Sequence, residues 1–461
     1  MQDLKNLSRQ KRRAGFGFFS FGRSNRKIPR SGERPSPRLY LPTGKQREHL
    51  KRLLVVVAVV LAMIPLSLFV LQKSAALGRE VRSWMAQPVS TVKAAEPAKT
   101  TPASSFVTAC SLLDDASGPP DQLTARTVEG ELLHYTVHGD LQKRVHDFLE
   151  KNQVPYGVFV AIEPATGRIL AMTAHSSAEP GWSKNASFDL YPMASLFKII
   201  TASAALESRR ITPETVIEFR GNATSENPRY WEISPKRGRN NRTDVTYAMG
   251  KSINPVYGRL ACDIAGKASV MECVDRFGFN QALLPGTSAK PSTASEPQSS
   301  HGLMLMGAGL DHEVKISPLH AAVMMAAIAN GGKMMAPGLT DRITDRKGTD
   351  KEVFTPREIR RLVAPETATS LTRMLSSSVK TGTSRRAFHD RRGRPRLDVE
   401  IAAKTGSISG SDPRGHYSWF AAFAPMHNPR IALVALVINQ DKWKIKSAQV
   451  GELALEEFFG N

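Results

Sequence analysis

The chain has 461 residues, 41% of them apolar and 23% charged, enough to bury a full-sized core, so disorder throughout is excluded. Its net charge of +21 invites a nucleic-acid reading, but residues 1–52 hold fifteen Lys/Arg against Asp3, Glu33 and Glu48, a local +12. Much of the cationic excess therefore belongs to one end of the chain rather than to a binding face.

Residues 1–52 read as a basic tail without a core of its own. The tail includes "GFGFFSFGR", whose aromatic residues are suited to stacking on bases. Topology and attraction to anionic lipid account for its cations without a nucleic acid, and no nucleic-acid partner is expected. Directly after it, residues 53–71, "LLVVVAVVLAMIPLSLFVL", carry no charge, and as a helix they would span about 28 Å. One transmembrane helix is expected. A buried core helix would be shorter or amphipathic, and a cleaved signal peptide does not normally follow a 52-residue polar region. Only Lys73, Arg79 and Arg82 follow closely, so the positive-inside rule places the N-terminus in the cytoplasm and everything after about residue 73 outside. The expected location is a single-pass anchor in the cytoplasmic (inner) membrane, with a periplasmic or extracellular domain.

Residues 72–130, which include the Ala/Pro/Ser/Thr-rich "AAEPAKTTPASS", read as a linker, leaving residues 131–461 as the folded domain. "LQKRVHDFLEKN" is amphipathic at helical spacing, and "YGVFVAIEPATGRILAMTAH" is two β-rich runs around a turn. From about Ser195 to Ser378 the pattern is mostly helical, with "ISPLHAAVMMAAIANGG" its clearest helix. "YSWFAAFAP" and "RIALVALVIN" are again strands, and "KSAQVGELALEEFF" is a closing helix. Strands at both ends with helices between predict an α+β fold: one sheet built from the two ends and flanked by helices, with an all-helical subdomain inserted. Cys262 and Cys273 lie on successive helical patterns and either meet in a disulfide or stay reduced; Cys110 sits in the expected linker. No Cys or His spacing resembles a metal site, and no cofactor is expected.

A serine becomes a nucleophile when a neighbouring base takes its proton, and a lysine kept neutral can be that base. Ser-x-x-Lys on a helix provides this, since i and i+3 share a face. The pattern occurs at Ser8, Ser24, Ser90, Ser195 and Ser377. Ser8 and Ser24 fall in the tail and Ser90 in the linker, where nothing shields a lysine. Ser195 opens the apolar helix "YPMASLFKIITASAALE", with Lys198 set between Phe197 and Ile199, a costly place for a charge without a task. The helix N-terminus would also favour negative charge at the serine. Ser252 and Asn254 form Ser-x-Asn in "YAMGKSINPVYGRLA", a hydroxyl and an amide suited to proton relay and to holding a substrate amide.

Ser195-Leu-Phe-Lys198, Ser252-Ile-Asn254 and a Lys-Thr-Gly-Ser/Thr motif, in that order, resemble the transpeptidase domain of penicillin-binding proteins. The likeness extends to "DLQKRVHDFLE", "IEPATGRILAM", "ISPLHAAVMMAAIANGG" and "SWFAAFAP". The resemblance implies a penicillin-binding, serine β-lactamase-like fold. It also implies acylation by the D-Ala-D-Ala end of a peptidoglycan stem peptide, release of D-Ala, and transfer to an amine on a neighbouring stem, with β-lactams acylating the same serine. It would make Ser195 the nucleophile, Lys198 its base, Ser252 a proton relay and Asn254 a substrate contact.

Lys-Thr-Gly occurs twice, at Lys380 and Lys404. The first copy ends a helical pattern (Leu371, Met374, Leu375, Val379), with Gly382 where a C-cap glycine belongs. The second follows alternating Leu397, Val399 and Ile401, the pattern of a half-buried strand. A strand edge suits the chemistry: Lys404 and the Thr405 hydroxyl would meet a substrate carboxylate, and past Gly406 the Ser407 N–H would join that of Ser195 in an oxyanion hole. Lys404 is therefore the expected site lysine; the first copy reads as incidental, its "GTSRRAF" resembling a conventional Gly-Thr segment ahead of the family's motif strand, with no catalytic role. Three rivals share these motifs or this fold: a serine β-lactamase, which in class A would need a Glu-x-x-Leu-Asn segment absent here, a D,D-carboxypeptidase, and a non-catalytic cell-wall scaffold. The space between span and domain leaves no room for a glycosyltransferase domain, so a separate glycosyltransferase and other cell-wall assembly proteins are expected as partners.

Overall fold

A computed structural model describes residues 103–460 save 237 and 239. The expected tail, membrane span and first part of the linker lie outside the described residues; among those described, no helix is long and apolar enough to cross a membrane.

The first described element is a helix, α1 (Ala103–Ser111), within the stretch expected to be linker. Phe106, Ala109 and Leu113, at helical spacing, are buried in the main core, and Tyr135 Oη donates to the Ala109 carbonyl at 2.8 Å. A short strand, Thr124–Arg126, pairs antiparallel with Leu132–Tyr135. The folded unit therefore includes residues 103–130, a correction to the expected boundary at 131. The Ala/Pro/Ser/Thr composition masked a short apolar stripe formed by Phe106, Ala109 and Leu113.

Next come α2 (Gly139–Lys151), with Leu141, Val145 and Leu149 on one buried face, and the hairpin β1 (Tyr156–Ile162) and β2 (Ile169–His175). The chain then leaves the sheet through α3 (Lys198–Glu207), α4 (Val245–Lys251), α5 (Asn254–Arg259), α6 (Lys267–Arg276), α7 (Ser300–Ala308), α8 (Pro318–Ala329), α9 (Pro365–Lys380) and the short α10 (Arg385–Phe388). Short strand pairs interrupt this region, such as Val216–Phe219 with Asn241–Asp244, so it is not purely helical. The chain returns as β3 (Ala402–Ser411), β4 (Arg414–Ala424) and β5 (Ile431–Asn439), and closes with α11 (Ser447–Phe459).

The five strands form one antiparallel sheet in the order β3-β4-β5-β1-β2, the two ends of the domain meeting at the β5–β1 pair. Their period-2 alternation divides the apolar residues between two layers. Tyr417, Trp419, Ala421 and Phe423 of β4 face the core shared with α3 and α8, while Phe420, Ala422 and Ala424 face the one shared with α2 and α11. β3 is an edge strand and begins at Ala402; residues 397–401, expected as its approach, are irregular although Ile401 is buried. Their alternation reflects packing against the second core rather than ladder pairing. All three cysteines are free: Cys273 accepts from Arg276 at 2.9 Å, and burial pushes the Cys110 thiol up to about 12.

Candidate active site

Ser195 does not open an α-helix as the sequence suggests. It lies in a 3₁₀ turn, Ala194–Phe197, and α3 starts only at Lys198. This is a tighter solution, because residues i and i+3 eclipse in a 3₁₀ turn. Lys198 Nζ comes within 2.7 Å of Ser195 Oγ. Ala194 is held at φ 52, a left-handed conformation costing a non-glycine residue about 1 kcal/mol. Gly309 supports it: at φ +72 this glycine caps α7, and a Cβ there would collide with the backbone of Ala194 and Ser195.

Lys198 is fully buried, with two further partners: Asn254 Oδ1 at 2.8 Å and the Ala308 carbonyl at 2.5 Å. The Asn254 amide is oriented by its own Nδ2, which donates to the Ser225 carbonyl at 3.2 Å. A carbonyl and an amide oxygen only accept, so they take two N–H bonds from the lysine. The third position, towards Ser195, is then a lone pair whenever the amine is neutral. Burial holds Lys198 well below the ordinary lysine range, and the nearby positive charge of Lys404 pushes the same way. A neutral amine facing a serine hydroxyl can take its proton.

Ser252 caps α4 in a left-handed conformation, φ 57 and ψ 42, which turns the chain sharply into α5 and sets its hydroxyl beside Lys404. Lys404 Nζ lies 2.9 Å from Ser252 Oγ and 2.8 Å from the Thr405 carbonyl. Burial lowers the Lys404 pKa to about 7, so this amine gains and loses a proton near neutrality. Gly406 lies against the Ser195 turn: a Cβ there would stand 3.1 Å from that of Ala194 and 3.4 Å from Ser195 N. Beside it, Trp419 on β4 donates to the Pro192 carbonyl at 2.9 Å and ties the sheet to the approach of Ser195. Thr405 and Ser407 flank Gly406 on the open edge.

The structure thus brings Ser195, Lys198 and Asn254 into one hydrogen-bonded group, Ser252 and Lys404 into a second, and Thr405, Gly406 and Ser407 onto the strand alongside. Lys380 goes elsewhere, as the last residue of α9 in an exposed ion pair with Glu400 at 2.8 Å. Two participants escaped the sequence reading. The Ala308 carbonyl leaves no trace in residue type, and Thr383, whose hydroxyl meets that of Thr405 at 2.5 Å, belongs to the copy set aside as incidental. A cavity of about 670 Å³ bounded by Asp121, His134, Arg168, Arg342 and Phe458 lies elsewhere and includes none of these residues.

The family profile described as the penicillin binding protein transpeptidase domain matches residues 157–454, well over half the chain and the whole of this constellation. The chain belongs to the penicillin-binding protein transpeptidase family. A relative of this penicillin-binding protein, the peptidoglycan D,D-transpeptidase PbpA of Mycolicibacterium smegmatis, is 28% identical over 375 residues, 72% of each chain. The crystal structure of PBPA from Mycobacterium tuberculosis superposes with a TM-score of 0.59 at 24% identity, over 71% of this chain and 80% of that one. The D,D-transpeptidase domain of a peptidoglycan glycosyltransferase from Eggerthella lenta gives 0.60 at 22% identity, over 71% and 82%. These likenesses show the penicillin-binding transpeptidase fold, an antiparallel sheet with helices on both faces.

Proposed function

We propose that the chain is a membrane-anchored D,D-transpeptidase that crosslinks peptidoglycan stem peptides through an acyl-enzyme on Ser195. The observation that carries this is the buried Lys198 amine, with two of its positions on acceptors and the third on Ser195 Oγ. Lys198 takes the Ser195 proton as Oγ attacks the carbonyl between the two terminal D-Ala residues. The oxyanion forms against the N–H groups of Ser195 and Ser407. Ser252, in contact with Lys404, passes a proton to the departing D-Ala amine, and the C–N bond breaks. Asn254 holds both Lys198 and the peptide amide of the substrate. Lys404 and Thr405 receive the terminal carboxylate, whose charge favours the protonated form of Lys404. An amine of a second stem then attacks the acyl carbonyl, loses its proton and releases Oγ to recover one. A β-lactam undergoes the same attack, but its leaving nitrogen stays tethered, so the adduct persists.

Residues 53–71 anchor the enzyme with residues 1–52 in the cytoplasm, and a separate glycosyltransferase supplies the glycan strands. Incubating the full chain with polymerised, uncrosslinked glycan carrying pentapeptide stems tests the acceptor. Crosslinked dimers are expected. Tetrapeptides trimmed without dimers would overturn transpeptidation in favour of a carboxypeptidase, and no release of D-Ala at all would leave only a scaffold.

A further inference from the structure

We infer that Thr383, the hydroxyl residue closing the first Lys-Thr-Gly copy, is a positioning residue for the substrate carboxylate: it holds the Thr405 hydroxyl and ties the Ser252 loop to the β3 edge. The inference rests on the placement of the carboxylate at Lys404 and Thr405 given above.

Thr383 reaches both halves of the site. Its backbone N–H donates to the Gly250 carbonyl at 3.0 Å, two residues before Ser252, and its Oγ1 lies 2.5 Å from Thr405 Oγ1. Lys404, itself on β3, makes a second tie between the two segments through Ser252 Oγ at 2.9 Å. The flanking sequence is shaped for this approach. The sequence suggests Gly382 as a left-handed helix cap, yet α9 is capped by Thr381 at φ −134, and Gly382 has no positive φ. A Cβ at Gly382 would collide with the Gly250 backbone, and one at Gly250 would collide with Ser377. The two glycines let the end of α9 lie directly on the end of α4, and Ser377 Oγ, donating to the Thr246 carbonyl at 2.8 Å, fastens the same contact. Behind Thr383, Ser378 is buried against Ser384 at 3.0 Å and lies 3.4 Å from the Thr383 hydroxyl.

Proton counting gives the direction. A hydroxyl has one proton to donate and lone pairs to accept with. If the Thr405 proton goes to the carboxylate, Thr405 Oγ1 must be the acceptor at the 2.5 Å contact, with Thr383 the donor. The chain Thr383 to Thr405 to carboxylate then fixes the Thr405 rotor before substrate arrives, and each bond polarises the next. Without Thr383, the Thr405 hydroxyl is free to turn away.

The test compares acylation by a penicillin with acylation by its methyl ester, in competition with a fluorescent penicillin, for the full-length wild type, Thr383→Val, Thr383→Ser and Thr405→Val. Loss of one positioned hydrogen bond predicts that Thr383→Val slows the carboxylate form by about fivefold to tenfold while the ester changes less than twofold. Thr383→Ser should restore the preference for the acid. The acid-to-ester ratio is internal to each protein, so partial misfolding, which lowers both rates together, does not imitate the effect. Equal slowing of acid and ester in Thr383→Val, or no change in either, would overturn the inference while leaving the carboxylate placement standing, provided that Thr405→Val narrows the ratio. If Thr405→Val leaves the ratio intact, the placement itself is wrong and the inference falls with it.

Discussion

At the scale of single residues, the proposed mechanism rests on keeping one amine uncharged. An ordinary lysine, with a pKa near 10.4, would be neutral in only about one molecule in 2,500 at pH 7. Burial of Lys198 lowers its pKa and so reduces that handicap, and the adjacent Lys404 charge pushes the same way. Since protonated Lys198 cannot accept from Ser195, the acylation rate should fall as pH drops through its lowered pKa. Removing the neighbouring charge in Lys404→Gln should let that pKa rise, moving the acid limb of the pH–rate profile to higher pH; a limb that stays put or moves down would contradict the coupling. Lys404→Ala should greatly slow acylation by a labelled penicillin, whereas Lys380→Ala, which loses an exposed pair with Glu400, should change it little. Equal loss in both would reverse the roles of the two copies. The side chains gathered at the site were legible because Ser-x-x-Lys, Ser-x-Asn and Lys-Thr-Gly specify side-chain chemistry. The Ala308 carbonyl was not, since any residue supplies one, and the part played by Thr383 depends on α9 meeting α4, a long-range contact without a local signature.

At the scale of elements, the end of α7 helps build the site, and α8 carries a buried histidine that makes the fold sensitive to pH. The C-terminal end of α7 delivers the Ala308 carbonyl, and Gly309 lets it approach the Ser195 turn. Gly309→Ala should destabilise the domain by at least about 1 kcal/mol and slow acylation, because the added methyl displaces Ala194 and Ser195 together; thermal melting and labelling kinetics read the two effects. In α8, His320 is buried with its Nε2 on the Phe277 carbonyl at 2.9 Å and its Nδ1 on Ser292 Oγ at 2.7 Å. Burial lowers its pKa to about 4, from an ordinary 6.5 that the unfolded chain regains. Between those values the unfolded state binds the extra proton, so stability is lost as pH falls. From pH 7 to pH 5 the loss is about 2 kcal/mol. Urea unfolding at the two pH values should show it in the wild type and not in His320→Gln; an unchanged difference would exclude His320 as its source. Helix and strand existence was legible here from periodicity. The 3₁₀ turn at Ser195 and the late start of β3 were not, because both are imposed by packing against neighbours that the local pattern does not contain.

At the scale of the whole molecule, the sheet is completed only when residues from both ends of the domain meet at the β5–β1 pair, so the site depends on long-range closure. The helix Ala103–Ser111 belongs to that closure, its Phe106 buried in the core that also contains Ala194 and Phe197. A chain beginning at residue 103 should fold and be acylated, while one beginning at 131 should melt lower and label poorly, and Phe106→Ala should cost about 3 kcal/mol. Equal melting of the two truncated chains would return the helix to the linker. The overall plan was legible from the order of β-rich and helical stretches, but this boundary was hidden by linker-like composition. The central claim, that Ser195 is the acylated nucleophile, is tested most directly by treating the full chain with a penicillin and mapping the adduct by peptide mass spectrometry. A single penicilloyl adduct on Ser195, absent from Ser195→Ala, is the predicted result; no adduct, or one that persists on another hydroxyl in Ser195→Ala, would contradict the account.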